Sequence, residues 1–179
     1  MTAVQVWTLV VGTLNLLLLT ISVSLVYVQM RKNHDWNRRK ESQDLIFKLV
    51  TGDIANLRRK LDIDFGVMPL EVNQDFATIA QGISEENRRR EFESSVKGLF
   101  NYFEAIATGV KNHVLDEEIC RDYACLVFSS YWRWGQPFIR KLRVDHPAVM
   151  KDFEFYAKEW GDYMEQEAMR IRRPGKRPT

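Results

Sequence analysis

The first 30 residues contain no Asp, Glu, Lys, Arg or His. Elsewhere the sequence is short of cysteine (2), histidine (3) and proline (5). Two cysteines cannot build a disulfide framework, which excludes a secreted mini-protein scaffold. The net charge is +2, from 26 basic and 24 acidic side chains, so total charge does not point to nucleic acid. No Gly-rich phosphate loop and no Gly-x-Ser-x-Gly elbow occurs. There is no β-alternation of useful length, no repeat and no Asn-x-Ser/Thr sequon. What is present is apolar: hydrophobic residues make up 45% of the 179, too many for a disordered chain.

Val4 to Met30 forms one run, interrupted only by Gln5, Asn15, Gln29 and small side chains. A helix of about 20 such residues crosses a hydrocarbon core. Trp7 and Tyr27 stand about 30 Å apart along such a helix, the separation of the two interfacial aromatic belts. Arg31, Lys32, Arg38, Arg39 and Lys40 follow at once. The positive-inside rule then puts the N-terminus outside and the rest in the cytoplasm, at the inner membrane. A cleaved signal peptide is the rival, with Ser22-Val23-Ser24 as its site. The absence of a basic leader and the length of the run favour a retained anchor. A cytoplasmic position also suits Cys120 and Cys125 as thiols. Asn15 has two readings: it hydrogen-bonds a second anchor with Gly12 allowing close approach, or it is tolerated alone in a Leu-rich helix.

Charge divides the chain into blocks. Residues 31–60 carry +5, 61–90 carry −3, 91–169 carry −5 and the last ten +5. The expected fold is all-α, a single transmembrane helix followed by a cytoplasmic helical bundle. The expected parts are an anchor over 1–30, a basic juxtamembrane helix and loop over 31–73, a bundle over 74–172 and a basic tail over 173–179. Residues 31–51 extend the membrane helix or bend off it, with Trp36, Leu45, Ile46, Leu49 and Val50 as apolar points. Gly52 breaks it and Asp53 caps a short stretch through Ile54, Leu57 and Leu61. Residues 63–73, with Gly66 and Pro69, read as a loop. A short helix over 74–80 precedes Ser84, an expected N-cap. Phe92, Val96, Leu99, Phe100, Phe103, Ile106, Ala107 and Val110 then keep the spacing of one buried stripe. Asp116 caps the next helix, whose expected stripe is Ile119, Tyr123, Leu126, Val127, Ser130 and Trp134, closed by Pro137. A short piece over 137–143 leads to Pro147 at a first helical position. The final stripe is Met150, Phe153, Tyr156, Ala157, Trp160 and Met164.

His113, Glu117 and Cys120 have partial metal-ligand spacing, but one imidazole before a capping Asp falls short of a structural zinc set. Neither a metal nor another cofactor is expected, and no small-molecule ligand is evident. Ser94-Ser95 and Ser129-Ser130 lie in helical patterns without a nucleophile's surroundings. Glu104 falls close to the buried stripe and needs a partner. Arg140, Arg143 and Asn101 are the candidates, in a structural ion pair or in a recognition pocket around Asn101, Glu104 and Arg143. The cluster Arg170, Arg172, Arg173, Lys176 and Arg177, like Arg31 to Lys40, suits an anionic cytoplasmic leaflet. Topogenic charge for the first cluster, and a solvated tail or RNA contact for the second, are the alternatives. Trp132 sits off its helix stripe and marks either a partner surface or packing against residues 31–51.

The stretch Leu99-Phe100-Asn101-Tyr102-Phe103-Glu104 with Ile106-Ala107 and Gly109, then Leu115-Asp116-Glu117-Glu118, Pro137-Phe138-Ile139 and Arg143, resembles a prokaryotic family catalogued as a domain of unknown function, number 4760. The resemblance spans roughly residues 90–160. It implies one N-terminal membrane helix with a helical cytosolic part, and no assigned reaction, substrate or cofactor. It makes Asn101, Tyr102 and Glu104, with Arg143, the place to expect a site. The leading function is a membrane-tethered module that oligomerises or recruits another protein. A membrane-perturbing effector of a defence or toxin system and a hydrolase with an unrecognised site are the alternatives.

Overall fold

The computed structural model describes residues 2–67 and 75–172. It is all-α, with no strand among the described residues. The helices are α1 (Ala3–Lys48), α2 (Gly52–Asp64), α3 (Phe76–Gly82), α4 (Glu86–Lys111), α5 (Glu117–Asp145) and α6 (Lys151–Arg172). Contacts divide the chain into two compact units, Met1–Lys40 and Glu41–Thr179.

The first unit is helical and its apolar side chains are exposed, Leu14, Leu17, Leu19, Ile21 and Leu25 among them. It belongs to a helix long and apolar enough to cross a membrane. Its hydroxyls need no water: Thr20, Ser22 and Ser24 donate to the carbonyls of Leu16, Leu18 and Thr20, at 2.8–2.9 Å. Each of these hydroxyls is thus satisfied by the turn before it, as a hydrocarbon environment demands. Gly12 and Asn15 are exposed on this helix, with nothing near the glycine.

The second unit begins before the helix of the first ends. Within it the last turns of α1 are seated on the bundle, with Ile46 and Leu49 in the core and Ser42 fully buried. Ser42 Oγ accepts the Asp116 N–H at 2.7 Å, Tyr102 Oη donates to the Leu45 carbonyl, and Arg58 Nη1 donates to the Leu49 carbonyl at 3.1 Å. The expected break at Gly52 falls just before it, over residues 49–51, and Gly52 is the first residue of α2, with a φ of +75° that suits glycine. Thr51 stands at the N-cap of α2, and Asp53 lies in the first turn instead. The expected loop over 63–73 is α2 as far as Asp64, and its residues 68–73, Pro69 included, lie outside the described residues, as does Gln74.

The core is the meeting of α4, α5 and α6. The α4 stripe from Phe92 to Val110 is buried as its spacing predicts, although Glu85, not Ser84, occupies the N-cap. Of the last stripe, Met150 in the turn before α6 and Phe153, Tyr156, Ala157 and Trp160 on it are buried likewise, while Met164 is half-buried. The α5 stripe differs. Its buried residues are Cys120, Ala124, Phe128, Tyr131, Trp132, Gly135, Phe138 and Ile139, while Tyr123 and Leu126 are exposed. The helix carries two apolar faces, and the one with the greater aromatic area faces the core. Trp132 is accordingly an interior residue, edge-on to Phe153 at 5.8 Å, and not an exposed partner surface.

Pro137 does not close α5, which continues to Asp145. A proline inside a helix costs about 3 kcal/mol. Phe138 and Ile139 follow directly and are buried, and two such side chains together offset that cost at about 1.5–3 kcal/mol each. Pro147 likewise does not start α6: residues 147–150 form a turn ending on Met150 at φ +55°, and the helix starts at Lys151.

Candidate functional site

Of the residues singled out by sequence, Glu104 and Arg143 are brought to the junction of α5 and α6. Asp116 is the N-cap of α5 as expected, accepting the Ile119 N–H at 3.3 Å. The α6 start has no such local cap and is held from α4. Glu104 Oε2 accepts the Phe153 N–H at 2.7 Å and Oε1 the Asp152 N–H at 3.3 Å. Glu104 is therefore a carboxylate cap supplied by another helix, placed where the α6 dipole favours negative charge. The expected ion pair of Glu104 with Arg140 or Arg143 does not form. One and two turns along α4, Thr108 Oγ1 and Lys111 Nζ donate to Asp152 at 3.1 and 2.7 Å. Glu104, Thr108 and Lys111 have the i, i+4, i+7 spacing of one face, a signal present in the sequence.

Arg143 holds the other side of the same turn. Its Nε donates to the Val149 carbonyl at 2.9 Å and Nη2 to the Met150 carbonyl at 3.1 Å, while Nη1 pairs with Glu154 at 2.6 Å. Glu154 also pairs with Lys158 at 2.6 Å. Both cations lie over the Trp132 ring, Arg143 at 5.9 Å and Lys158 at 5.7 Å from its centroid. Trp132, Gln136, Arg140, Arg143, Glu154 and Lys158 line most of a cavity of about 220 Å³. The structure thus brings Glu104 and Arg143 to one backbone turn without contact between them. Asn101 is exposed, and Tyr102 is spent on Leu45.

Two predictions arise here. Removing the Glu104 carboxylate leaves two part-buried N–H groups without their acceptor, so Glu104→Ala is expected to cost about 1–3 kcal/mol, with Glu104→Gln costing less because one oxygen remains. Thermal unfolding of the detergent-solubilised protein checks this order, and equal stability of all three forms excludes the cap. The second concerns acid. The Lys158 hydrogen bond, followed by Arg143, holds the Glu154 carboxyl below its ordinary 4.5, and Lys111 and Thr108 hold Asp152 below 3.8. A carboxylate whose folded pKa is depressed stabilises above its unfolded pKa, and that contribution is lost as pH falls through the folded value. Stability is therefore expected to hold level above about pH 5 and to decline below the ordinary carboxylate range. Glu154→Gln should be less stable near neutrality and lose less on acidification, measured as urea midpoints at pH 7 and pH 3.

Burial pushes Tyr102 up to about 12 and Cys120 up to about 11, so neither ionises near neutrality. Cys125 is half-buried and Cys120 fully. His113 sits in a turn at φ +57°, and among the described residues no group of three or more His, Cys, Asp or Glu could hold a metal ion. Of the basic clusters, Arg31, Lys32, Arg38, Arg39 and Lys40 are on α1, Arg170 is exposed on α6, and Arg172 is the last residue of that helix. Arg173, Lys176 and Arg177 lie outside the described residues.

A family model described as a domain of unknown function, DUF4760, matches residues 4–160, which takes in the apolar helix, the α4 cap and the α5–α6 turn. No curated protein and no solved structure matches the chain. With a match over most of its length, the chain belongs to the DUF4760 family.

Proposed function

We propose that this chain is a membrane-tethered interaction module. It is anchored N-out at the inner membrane by residues 1–30 and presents its helical bundle to a protein partner in the cytoplasm. The observation that carries this reading is the second apolar face of α5. Tyr123 and Leu126 are 70% and 64% exposed, beside half-buried Ile119 and beside Val127 and Trp134, which rest their inner sides on the core. A surface patch of large apolar residues on a helix already buried on another side is an interaction signature. The anchor's length and flanking charges support the placement, and the two basic clusters suit an anionic leaflet at about 1 kcal/mol per charge.

The test uses the full chain in its membrane. A photo-crosslinking phenylalanine analogue at Leu126 is expected to give a discrete protein adduct, and the same probe at exposed Val144 none. Exchanging residues 1–30 for an unrelated single-pass anchor should leave the Leu126 adduct unchanged. Absence of any protein adduct at Leu126 overturns the reading. So does loss of the adduct with the anchor exchange, which would tie the activity to the membrane segment itself.

A further inference from the structure

We infer that the partner on this α5 face is a second copy of the chain, with the two α5 helices packed antiparallel across a two-fold axis. This deepens the interaction-module reading and rests on it. The first turns of α5 hold Glu117, Glu118 and Asp122 against one Arg121, and its second half holds Arg133, Arg140, Lys141 and Arg143 against one Asp145, so the first half is net acidic and the second net basic. A parallel pair would set like halves side by side. An antiparallel pair sets the acidic half of each helix against the basic half of the other, and opposes the two helix dipoles favourably.

The register follows from position. Asp122 and Arg133 are both exposed and eleven residues apart, close to three helical turns, so they share one flank of the apolar face. A two-fold axis perpendicular to α5 brings that flank against the same flank of the second copy, running in reverse. Asp122 of each copy then meets Arg133 of the other when the axis passes between Val127 and Phe128. That register places Leu126 and Val127, the middle of the apolar face, next to the axis on both copies. Tyr123 lies one turn out, against the Ser130–Trp134 end of the other helix. Apolar centre and charged flank are therefore satisfied by one register, the self-complementarity that a two-fold interface requires. Among the described residues Asp122 has a long contact to Arg121 at 3.7 Å, which leaves it available for this pairing.

The experiment is the molar mass of the full-length protein in detergent, by light scattering with the micelle subtracted, over a concentration series. The wild type is expected to be dimeric. Leu126→Glu should shift it to monomer at the same concentration while its circular dichroism melt stays unchanged, because this side chain is exposed. Asp122→Arg alone and Arg133→Asp alone should each weaken the dimer about tenfold or more, since each sets like charges together twice across the axis. The double variant Asp122→Arg/Arg133→Asp should recover it, a restoration specific to the antiparallel register. A monomeric wild type overturns the inference; a Leu126 adduct to a different protein would then leave the interaction-module reading standing. A dimer indifferent to all four variants also overturns it, and places self-association in the anchor around Gly12 and Asn15.

Discussion

Phe153→Ala is expected to remove about 3–5 kcal/mol of folding stability, the cost of deleting a buried aromatic ring and leaving a cavity. Phe153 is fully buried and stands at the centre of the three long bundle helices. Its ring lies 5.8 Å from Phe100 and 5.2 Å from Phe103 on α4, and 5.2 Å from Phe128 and 5.8 Å from Trp132 on α5. Four rings on two helices are thus held in place by one side chain on a third. They cannot close over the gap without leaving one another, so the site collapses poorly and the upper part of the range applies. Against a total stability of about 5–15 kcal/mol for a domain, this is a large fraction. The expected readout is a fall in unfolding temperature of about 10 °C or more. Phe155, two residues on, is the internal control: it is exposed, and Phe155→Ala should stay within about 0.5 kcal/mol of wild type. Similar losses at both positions, or a loss below 1 kcal/mol at Phe153, would falsify the packing described.

The contrast between α4, α5 and α6 explains how much of the fold was legible in the sequence. On α4 and α6 a single apolar stripe faces a polar remainder, so periodicity alone identifies the buried side. α5 has apolar residues on two sides, and periodicity has no means of choosing between Tyr123–Leu126 and Phe128–Tyr131. The choice is made by what the other helices offer, here the rings of Phe103 and Phe153. The local devices were readable for a similar reason. Asp116 caps the helix that follows it, and Gly52 at positive φ sits at the joint of α1 and α2, because both act on neighbouring backbone. Glu104 acts on backbone 48 residues away, and only its need for a partner was visible. Arg143 pairs with Glu154 and with two carbonyls of an irregular turn, a geometry that no spacing rule encodes. Pro137 misled because proline rules describe isolated helices, whereas Phe138 and Ile139 supply burial enough to carry α5 past it.

Gly135→Ala is expected to destabilise the bundle by about 1–3 kcal/mol or more, against the direction that helix propensity gives. In an exposed helix interior this substitution gains about 1 kcal/mol, by restricting the unfolded chain and improving the helix. Gly135 is buried in the middle of α5, and a Cβ built there runs into Phe100 Cζ and meets Cε2 at 3.0 Å and Cε1 at 3.1 Å. A neighbour at the tip of a flexible side chain would swing aside, but Phe100 is fixed. Its ring is fully buried and packed against Phe76 at 5.7 Å, Phe138 at 6.2 Å and Phe153 at 5.8 Å. Relief therefore requires α4 and α5 to separate, which loosens each of those ring contacts. The clash and the propensity gain have opposite signs, so the measured sign alone decides between them. A melt shifted down shows the close approach of the two helices, and one shifted up shows that they stand farther apart. The variant Phe100→Leu makes the argument specific. Alone it costs stability through lost area, but combined with Gly135→Ala it should cost less than the sum of the two, because the shorter side chain makes room for the added methyl. Strict additivity would mean that the two residues do not touch.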